Sequence, residues 1–253
     1  MRSAPVIILK TPREIEKMRE ANRVVAEVLA ETRERVKPGV TTRELDLFAE
    51  ERCLKRNARP AFKGYRGYPF SLCTSVNEQV VHGFPSERRL EEGDVISLDF
   101  GALHRGFYGD AAITLPVGQV VEEARLLLAT TREALYRGIE QCRASGRLYD
   151  ISAAIQEHAE GRGFSVVRQF VGHGIGRALH ERPQVPNYGV AGSGPVLKPG
   201  MVLAIEPMVN AGGSEVKVLE DGWTAVTVDG SLSAHFEHSV AITEDGYEIL
   251  SEL

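Results

Sequence analysis

A mixed α/β (α+β) fold built from two related halves is the fold class that the sequence predicts. The main observation is that one order of elements, a long helix, a short helix and then strands, occurs twice along the chain. A second observation is that neither a low-complexity tract nor a clear linker separates the two occurrences. We therefore expect a single domain over residues 1–253, in which residues 1–10 form a short N-terminal extension.

Two capped helices open the first half. Thr11-Pro12-Arg13-Glu14 and Thr41-Thr42-Arg43-Glu44 both have the pattern of a capping box, with a Thr cap and a Glu three residues later. The first helix is expected to end before Lys37-Pro38-Gly39, and the second near Asn57. Short strands are then expected between Val76 and Pro85, after an aromatic-rich loop over 60–73.

The second half repeats this order. A long helix is predicted from Val121 to about Cys142, and Asp150 is expected to cap a shorter helix that ends near Gly161. Strands are predicted at Ser165–Val171, Met201–Glu206, Thr224–Thr227 and His235–Thr243.

Composition narrows the class of protein. The 253 residues are 43% hydrophobic and 26% charged, which is ordinary for a soluble globular protein, and the formal net charge of −5 argues against a nucleic-acid-binding surface. Three widely spaced cysteines give no disulfide framework. The apolar run Val6–Leu9 is too short for a signal-peptide core or a membrane span. These features predict a soluble cytoplasmic protein.

A predicted hairpin over 94–115 carries two aspartates. Alternation places Asp99 on the face of the first strand opposite its apolar residues, and Asp110 likewise on the second strand. A loop at His104-Arg105 would set the two aspartates directly opposite each other. Two like charges in that position are destabilising unless a cation lies between them. A four-residue loop centred at the same place would keep this register, whereas a three- or five-residue loop would break it.

Three more polar residues lie on or beside apolar strands: Glu206, Glu237 and His173 between two glycines. Taken singly, a Glu at a strand end is usually a solvated terminus, and a His in a Gly-rich loop is usually structural. Four carboxylates and one imidazole together are what a two-metal site requires, because the charge of four carboxylates balances that of two divalent ions.

The sequence around these five residues resembles methionine aminopeptidase, type I. The matching segments are Asn77-Glu78, His82-Gly83, Ser97-Leu98-Asp99-Phe100-Gly101, Gly172-His173-Gly174-Ile175-Gly176, Ile205-Glu206-Pro207 and Phe236-Glu237-His238. The resemblance runs from about residue 11 to the C-terminus. It implies the pita-bread fold, in which pseudo-two-fold related halves share a curved antiparallel sheet covered by helices. It also implies a monomeric hydrolase that removes the initiator methionine from nascent polypeptides when the second residue is small.

The resemblance assigns metal ligands residue by residue. Asp99 is expected to chelate one ion and His173 the other, while Asp110 and Glu237 bridge both around a shared water or hydroxide. Glu206 is expected to bind a metal and to handle the proton of the attacking water. An oxygen-dominated set with one imidazole favours Mn, Fe(II) or Co, and zinc is also compatible.

The resemblance also assigns residues that contact the substrate. His82 and His180 match histidines that contact the scissile peptide. The methionine pocket is expected to be formed by Tyr65, Tyr68, Cys73, Leu179 and Trp223. Two positions depart from the family pattern: Leu179 replaces a frequent aromatic, and His235 stands where Gln is common, which places an extra titratable group beside Glu237.

Two other functions stay open at this level. A proline-directed peptidase of the same fold would share the ligand set but usually carries a large N-terminal domain, whereas the first helix here begins near residue 11. A non-catalytic binding protein of this fold would typically have lost metal ligands, and none is missing here. For the favoured enzyme, a transient ribosome contact is expected, with no specific nucleic acid and no membrane partner.

Overall fold

The computed structural model describes residues 6–252, so residues 1–5 of the expected N-terminal extension lie outside the described residues. Four α-helices are described, α1 (Pro12–Arg33), α2 (Thr42–Lys55), α3 (Glu122–Ile139) and α4 (Leu148–Glu160), together with one short 3₁₀ helix (Tyr65–Gly67). Fifteen strands are described: β1 (Arg59–Pro60), β2 (Cys73–Val76), β3 (Gln79–Val81), β4 (Val95–His104), β5 (Phe107–Pro116), β6 (Ser165–Val166), β7 (Gly172–Gly174), β8 (Glu181–Val185), β9 (Val202–Ile205), β10 (Met208–Asn210), β11 (Val216–Val218), β12 (Ala225–Thr227), β13 (Ser233–His235), β14 (Glu237–Ile242) and β15 (Tyr247–Ile249).

A nine-stranded sheet forms the centre of the structure. Its main path has the order β1-β4-β5-β14-β9-β7-β8, with β2 beside β4 and β15 beside β14. Two three-stranded sheets, β13-β10-β6 and β11-β12-β3, complete the described strands. Because β14 lies between β5 and β9, the last long strand of the chain joins the first half of the sheet to the second.

Each half has its own hydrophobic core. One core packs α1 and α2 against β2, β4 and β5, and the other packs α3 and α4 against β8, β9 and β14. A smaller cluster joins the halves, in which Met18 of α1 packs with Phe107 of β5 and with Val202 of β9. The predicted mixed fold with two related halves is therefore confirmed. In the described range 6–252, no helix combines the length and apolar character needed to cross a membrane.

Helix starts were predicted well in the first half and less well in the second. Thr11 and Thr41 cap α1 and α2, and both capping boxes are formed. Asp150 was predicted to cap α4, and this is wrong because α4 begins at Leu148. The Asp150 carboxylate instead accepts a hydrogen bond from the backbone N–H of Arg147 at 2.8 Å, from the third position of the helix. A carboxylate there still stabilises the helix start.

The predicted strands Ser165–Val171 and His235–Thr243 are each interrupted. Only 165–166 pairs with β10, and β7 begins at Gly172 as a neighbour of β9. The second segment likewise divides at Phe236, since β13 pairs with β10 whereas β14 pairs with β5 and β9. The chain changes sheets at both places, which an apolar run does not reveal.

The β4–β5 hairpin has a different register from the predicted one. His104 pairs with Phe107, so the two-residue loop is Arg105-Gly106, with φ of 49° and 81°. Positive φ at both positions is the geometry that tight hairpins favour. Asp99 consequently faces Ala112, and the predicted direct opposition of Asp99 and Asp110 is wrong. The shift is by two residues, so both aspartates stay on the same face.

Candidate metal centre and substrate pocket

Five neighbouring strands of the large sheet each bring one potential metal ligand to the same place. In the order of the strands across the sheet, Asp99 lies on β4, Asp110 on β5, Glu237 on β14 and His173 on β7. Glu206 directly follows β9, which lies between β14 and β7. Ligand atoms of Asp110, His173 and Glu237 all lie within 4.8 Å of one another. The Nε2 atom of His173 is 3.5 Å from Oε1 of Glu206 and 3.9 Å from Oδ2 of Asp110. The structure thus brings together residues that are up to 138 positions apart in the sequence.

The four carboxylates form an acidic cluster, and among residues 6–252 none of them forms an ion pair with a lysine or an arginine. One oxygen each of Asp99, Asp110 and Glu237 is buried and has no hydrogen-bond partner among the described residues. Burial raises the pKa of Asp99 to about 7 and raises the pKa values of Asp110, Glu206 and Glu237 well above their usual range, with their mutual repulsion adding to the effect. Buried acidic groups of this kind are stabilised when they coordinate cations. The donor set therefore fits hard or borderline divalent metal ions.

His173 is held in the tautomer that a metal ligand needs. Its Nδ1–H donates a hydrogen bond to the carbonyl oxygen of Gly174 at 3.0 Å, which leaves the lone pair of Nε2 directed towards the carboxylates. Burial lowers the pKa of His173 to about 3, so the ring is neutral at pH 7. A neutral imidazole with a fixed orientation is ready to bind a metal.

The glycines on both sides of His173 are required by the packing of β7 between its two neighbours. A Cβ atom at Gly172 would lie 2.4 Å from the carbonyl oxygen of Ala204 in β9, and one at Gly174 would lie 2.2 Å from the carbonyl oxygen of Arg182 in β8. Both distances are far below van der Waals contact. The Gly-His-Gly sequence therefore lets the strand that carries His173 pack closely between β8 and β9.

We expect Gly174→Ala to lower the free energy of unfolding by about 1–3 kcal/mol, because β7 or β8 must move to accept the methyl group. The displacement should also weaken metal binding through His173. Urea denaturation and calorimetric titration with Mn²⁺ measure the two effects. Gly213→Ala is the matched control, since a Cβ at Gly213 would meet its nearest neighbour at 3.5 Å. Equal stability of the two variants would contradict the packing argument.

All twelve residues predicted for the site line one cavity of about 130 Å³. They are Tyr65, Tyr68, Cys73, His82, Asp99, Asp110, His173, Leu179, His180, Glu206, Trp223 and Glu237. The cavity is smaller than the roughly 300–1,000 Å³ of typical small-molecule sites, which suits a single side chain beside a metal centre. Phe62 and Arg66 also line it. Neither was predicted, and nothing in the local sequence distinguishes them from other residues of their loop.

Aromatic side chains form one wall of the cavity. Tyr68 is buried, and its hydroxyl lies 3.2 Å from the carbonyl oxygen of Leu72 and 3.1 Å from that of Gly83. These contacts anchor the phenol so that its ring contacts Trp223 edge-to-face at a centroid distance of 5.1 Å. The carboxylate of Asp221 accepts hydrogen bonds from the backbone N–H groups of Trp223 and Thr224, which fixes the turn that carries the indole.

Two further histidines, His82 and His180, line the same cavity as the carboxylates. His82 follows β3 with φ of 60°, an uncommon conformation for a residue other than glycine, and burial lowers its pKa to about 4. His180 stacks on Tyr65, whose hydroxyl lies 3.0 Å from Nδ1 of His180. The ring of His180 is also 4.2 Å, centroid to centroid, from that of His173. Both histidines are thus close to the acidic cluster.

His235 contacts the cluster through Glu206. Its side chain is buried, and Nε2 lies 3.7 Å from Oε2 of Glu206. Neither ring nitrogen has a hydrogen-bond partner among the described residues. Burial lowers its pKa to about 3, so the ring is neutral and adds no charge to the site. The extra titratable group noted in the sequence therefore lies against Glu206 as well as near Glu237.

Comparisons with known proteins agree with this arrangement. A profile of metallopeptidase family M24 matches residues 16–244. Methionine aminopeptidase 1 of Bacillus subtilis is 54% identical over 248 residues, a match that covers 98% of this chain and 100% of that protein. The crystal structure of methionine aminopeptidase from Thermotoga maritima superimposes with a TM-score of 0.97 at 51% identity, covering 98% of this chain and 100% of that one.

Prolidase-type structures are more distant. The prolidase from Pyrococcus furiosus gives a TM-score of 0.78 at 25% identity, and the match covers 97% of this chain but 66% of the prolidase. The chain thus corresponds to part of that protein and to the full length of the two methionine aminopeptidases. It belongs to metallopeptidase family M24 and, within that family, groups with the methionine aminopeptidases.

Proposed function

We propose that this chain is a metal-dependent aminopeptidase that removes the N-terminal methionine from polypeptides whose second residue is small. The observation that carries the proposal is the single cavity, in which an acidic cluster with one histidine adjoins an aromatic and apolar wall. The carboxylates suit a metal centre. The aromatic rings of the wall, Leu179 and the Cys73 thiol suit the flexible thioether of methionine. The names of the similar proteins support the same assignment.

We assign the metal ligands to Asp99, Asp110, His173, Glu206 and Glu237, and infer two ions taken from Mn, Fe(II) or Co, with zinc as a further candidate. Bound divalent ions lower the pKa of water, polarise the scissile carbonyl and anchor the free α-amine. Two ions are favoured over one because four clustered carboxylates need about four positive charges to be neutral. Metal analysis of the protein purified from the cells that naturally produce it tests both the identity and the number of the bound ions.

The other polar residues act on the substrate and on protons. Glu206, which lines the cavity, accepts the proton of the attacking water. His82, neutral because burial lowers its pKa to about 4, offers an N–H to the carbonyl oxygen of the scissile peptide as negative charge develops there. Donation by the Tyr65 hydroxyl to Nδ1 of His180 keeps the His180 proton on Nε2, ready for the same peptide.

The wall of the cavity selects methionine. Tyr68 and Trp223 present ring faces and edges, and Cys73 lies opposite Asp99 in the β2–β4 ladder, so its thiol is at the junction of pocket and metal centre. Burial keeps the pKa of the Cys73 thiol well above its usual range, so it stays protonated and apolar in character. Leu179, 1% exposed, closes the pocket with an aliphatic surface where an aromatic ring is more frequent.

The decisive assay is the release of free methionine from Met-Ala-Ser and Met-Lys-Ser, with and without added Mn²⁺ or Co²⁺. We expect Met-Ala-Ser to be cleaved at least tenfold more efficiently, and cleavage to stop on addition of EDTA. Absence of cleavage with every metal would remove the main proposal. Preferential cleavage of Xaa-Pro peptides would select the prolidase-type activity, and metal binding without any cleavage would select a binding protein.

We further propose that the chain acts as a single catalytic domain and as a monomer in the cytoplasm, in transient contact with ribosomes. The cluster that joins the two cores supports one domain, and three buried cysteines without disulfides, Cys53, Cys73 and Cys142, suit a reducing compartment. Sedimentation of the purified protein, alone and with ribosomes, tests the oligomeric state and the contact.

A further inference from the structure

The loop between β7 and β8 carries two of the residues assigned to substrate contact. It spans residues 175–180 and places Leu179 in the wall of the cavity and His180 beside the metal centre. Glu181, the first residue of β8, closes this loop. Its Oε1 accepts hydrogen bonds from the backbone N–H groups of Arg177 at 2.8 Å and Ala178 at 3.2 Å. The position of the loop therefore depends on the position of the Glu181 carboxylate.

Lys10 holds that carboxylate from the opposite side. Its ammonium group donates hydrogen bonds to Oε2 of Glu181 at 2.6 Å and to the carbonyl oxygen of Ile8 at 3.2 Å. The Lys10 and Glu181 side chains are only 3% and 6% exposed. The pair is thus a buried, hydrogen-bonded ion pair, unlike most of the other ion pairs of the chain, which are on the surface.

The backbone around Lys10 is fitted to this role. The N–H of Lys10 donates a hydrogen bond to the carbonyl oxygen of Gly200 at 2.7 Å. This bond connects the segment before α1 to the residues that directly precede β9. A Cβ atom at Gly176 would lie 2.5 Å from Cε of Lys10 and 2.6 Å from Oε1 of Glu181. The aliphatic part of the Lys10 side chain therefore fills the space beside Gly176 and packs against the 175–180 loop.

We propose that Lys10 and Glu181 are positioning residues that fix the 175–180 loop, so that Leu179 and His180 keep their places against the methionyl substrate. This inference rests on the proposed aminopeptidase function. Neither residue lines the cavity, so both act through the loop they hold. Without the ammonium group the buried carboxylate would turn towards water and release the two backbone N–H groups of the loop.

The test compares Lys10→Met, Glu181→Gln and the double variant Lys10→Met/Glu181→Gln. Methionine keeps the length of the lysine stem, and glutamine keeps an oxygen that can accept from the Arg177 and Ala178 N–H groups. We expect kcat/KM for Met-Ala-Ser to fall about 10- to 100-fold in Lys10→Met, which is the scale of a misplacement of about 1 Å. The double variant should recover most of this loss, because no unpaired charge stays buried.

Two measurements separate positioning from a general loss of structure. Amide hydrogen exchange over 176–181 should become faster in Lys10→Met and return towards the wild-type rate in the double variant. Affinity for Mn²⁺, measured by titration calorimetry, should change less than about threefold, because the pair contacts none of the assigned metal ligands. Lys55→Met is the matched control, since Lys55 forms an exposed ion pair with Glu51 on α2, and it should leave all three quantities unchanged.

Each outcome decides the inference. A folded Lys10→Met variant with the wild-type kcat/KM and the wild-type rate of amide hydrogen exchange would overturn the inference. A double variant whose kcat/KM is no higher than that of the single variants would also overturn it. If Lys10→Met does not fold, Glu181→Gln is compared with the double variant instead. Glu181→Gln leaves the buried Lys10 charge unpaired, whereas the double variant leaves neither charge. A wild-type protein that releases no methionine would instead refute the proposed function, while the exchange measurement would still report on the loop.

Discussion

Glu206→Gln is expected to lower kcat for Met-Ala-Ser by about 10²–10⁴-fold while the protein remains folded. Glutamine preserves the shape of the side chain and one oxygen that can act as a ligand. It cannot accept the proton that the attacking water must lose. The substrate pocket is formed by other residues, so KM should change much less than kcat. Steady-state kinetics at saturating Mn²⁺, together with circular dichroism, measure the effect.

Saturating metal is essential because Glu206 is assigned two roles. If the loss in Glu206→Gln disappears as Mn²⁺ is raised, the side chain matters as a ligand and another group accepts the proton. A loss that persists at saturation assigns proton transfer to Glu206. Glu123→Gln, a change at an exposed residue in the first turn of α3, is the control and should behave as wild type.

The hairpin of β4 and β5 shows which part of the site the sequence can predict. Alternation of apolar and polar residues identified the face on which Asp99 and Asp110 lie, and that face is correct. The pairing was wrong because the loop is Arg105-Gly106, and arginine is not a usual residue for a position with positive φ. An error of two residues preserves the face of every side chain, so the site survives the wrong register.

Contacts between distant strands are the part that local patterns could not supply. The site depends on β14 lying between β5 and β9, which brings Glu237 next to Asp110 and Glu206. Nothing in the residues of β14 specifies these neighbours, and only the family resemblance supplied them. The same holds for Lys10, whose partner Glu181 is 171 positions away. Periodicity describes one element at a time, whereas sheet order is a property of the whole fold.

The second large effect concerns stability and pH. Without metal, we expect the melting temperature to fall as pH rises from 6.5 to 8.0. A carboxyl group whose pKa is raised in the folded state stabilises the fold below its unfolded pKa, and that stability is lost as pH rises through the folded pKa. Asp99, with a pKa of about 7, titrates inside this window. Each group that holds a proton only in the folded state contributes about 1.4 kcal/mol per pH unit, or about 3–5 °C.

The window is chosen to limit the contribution of the buried histidines. His82, His173 and His235 have folded pKa values lowered to about 3–4, so they destabilise the fold mainly below the unfolded histidine pKa of about 6.5. Half of their unfolded-state protons are already lost at pH 6.5 and about nine-tenths by about pH 7.5, so the stability that they add with rising pH is confined to the lower part of this window. The cysteines, whose unfolded pKa is about 8.5, ionise mainly above this window and add little slope within it.

Bound metal should offset this fall in stability. Divalent ions bind the deprotonated carboxylates, so the rise in melting temperature on adding Mn²⁺ should grow with pH over the same window. At about 100 times the dissociation constant the ion adds about 2.7 kcal/mol of stability, or about 5–10 °C for a chain of this size. Differential scanning fluorimetry in EDTA and in Mn²⁺ gives both curves.

Asp99→Asn separates the carboxylate cluster from other sources of pH dependence. The change removes one of the four like charges and one assigned ligand, so the metal-free variant should melt higher than wild type at pH 8.0 and show a shallower slope. Its gain on adding Mn²⁺ should be smaller. A metal-free wild-type curve that is flat or rising from pH 6.5 to 8.0, with a constant gain from Mn²⁺, would contradict the assignment of these buried acids as metal ligands. The raised carboxyl pKa values and the unpartnered oxygens would then need a different explanation.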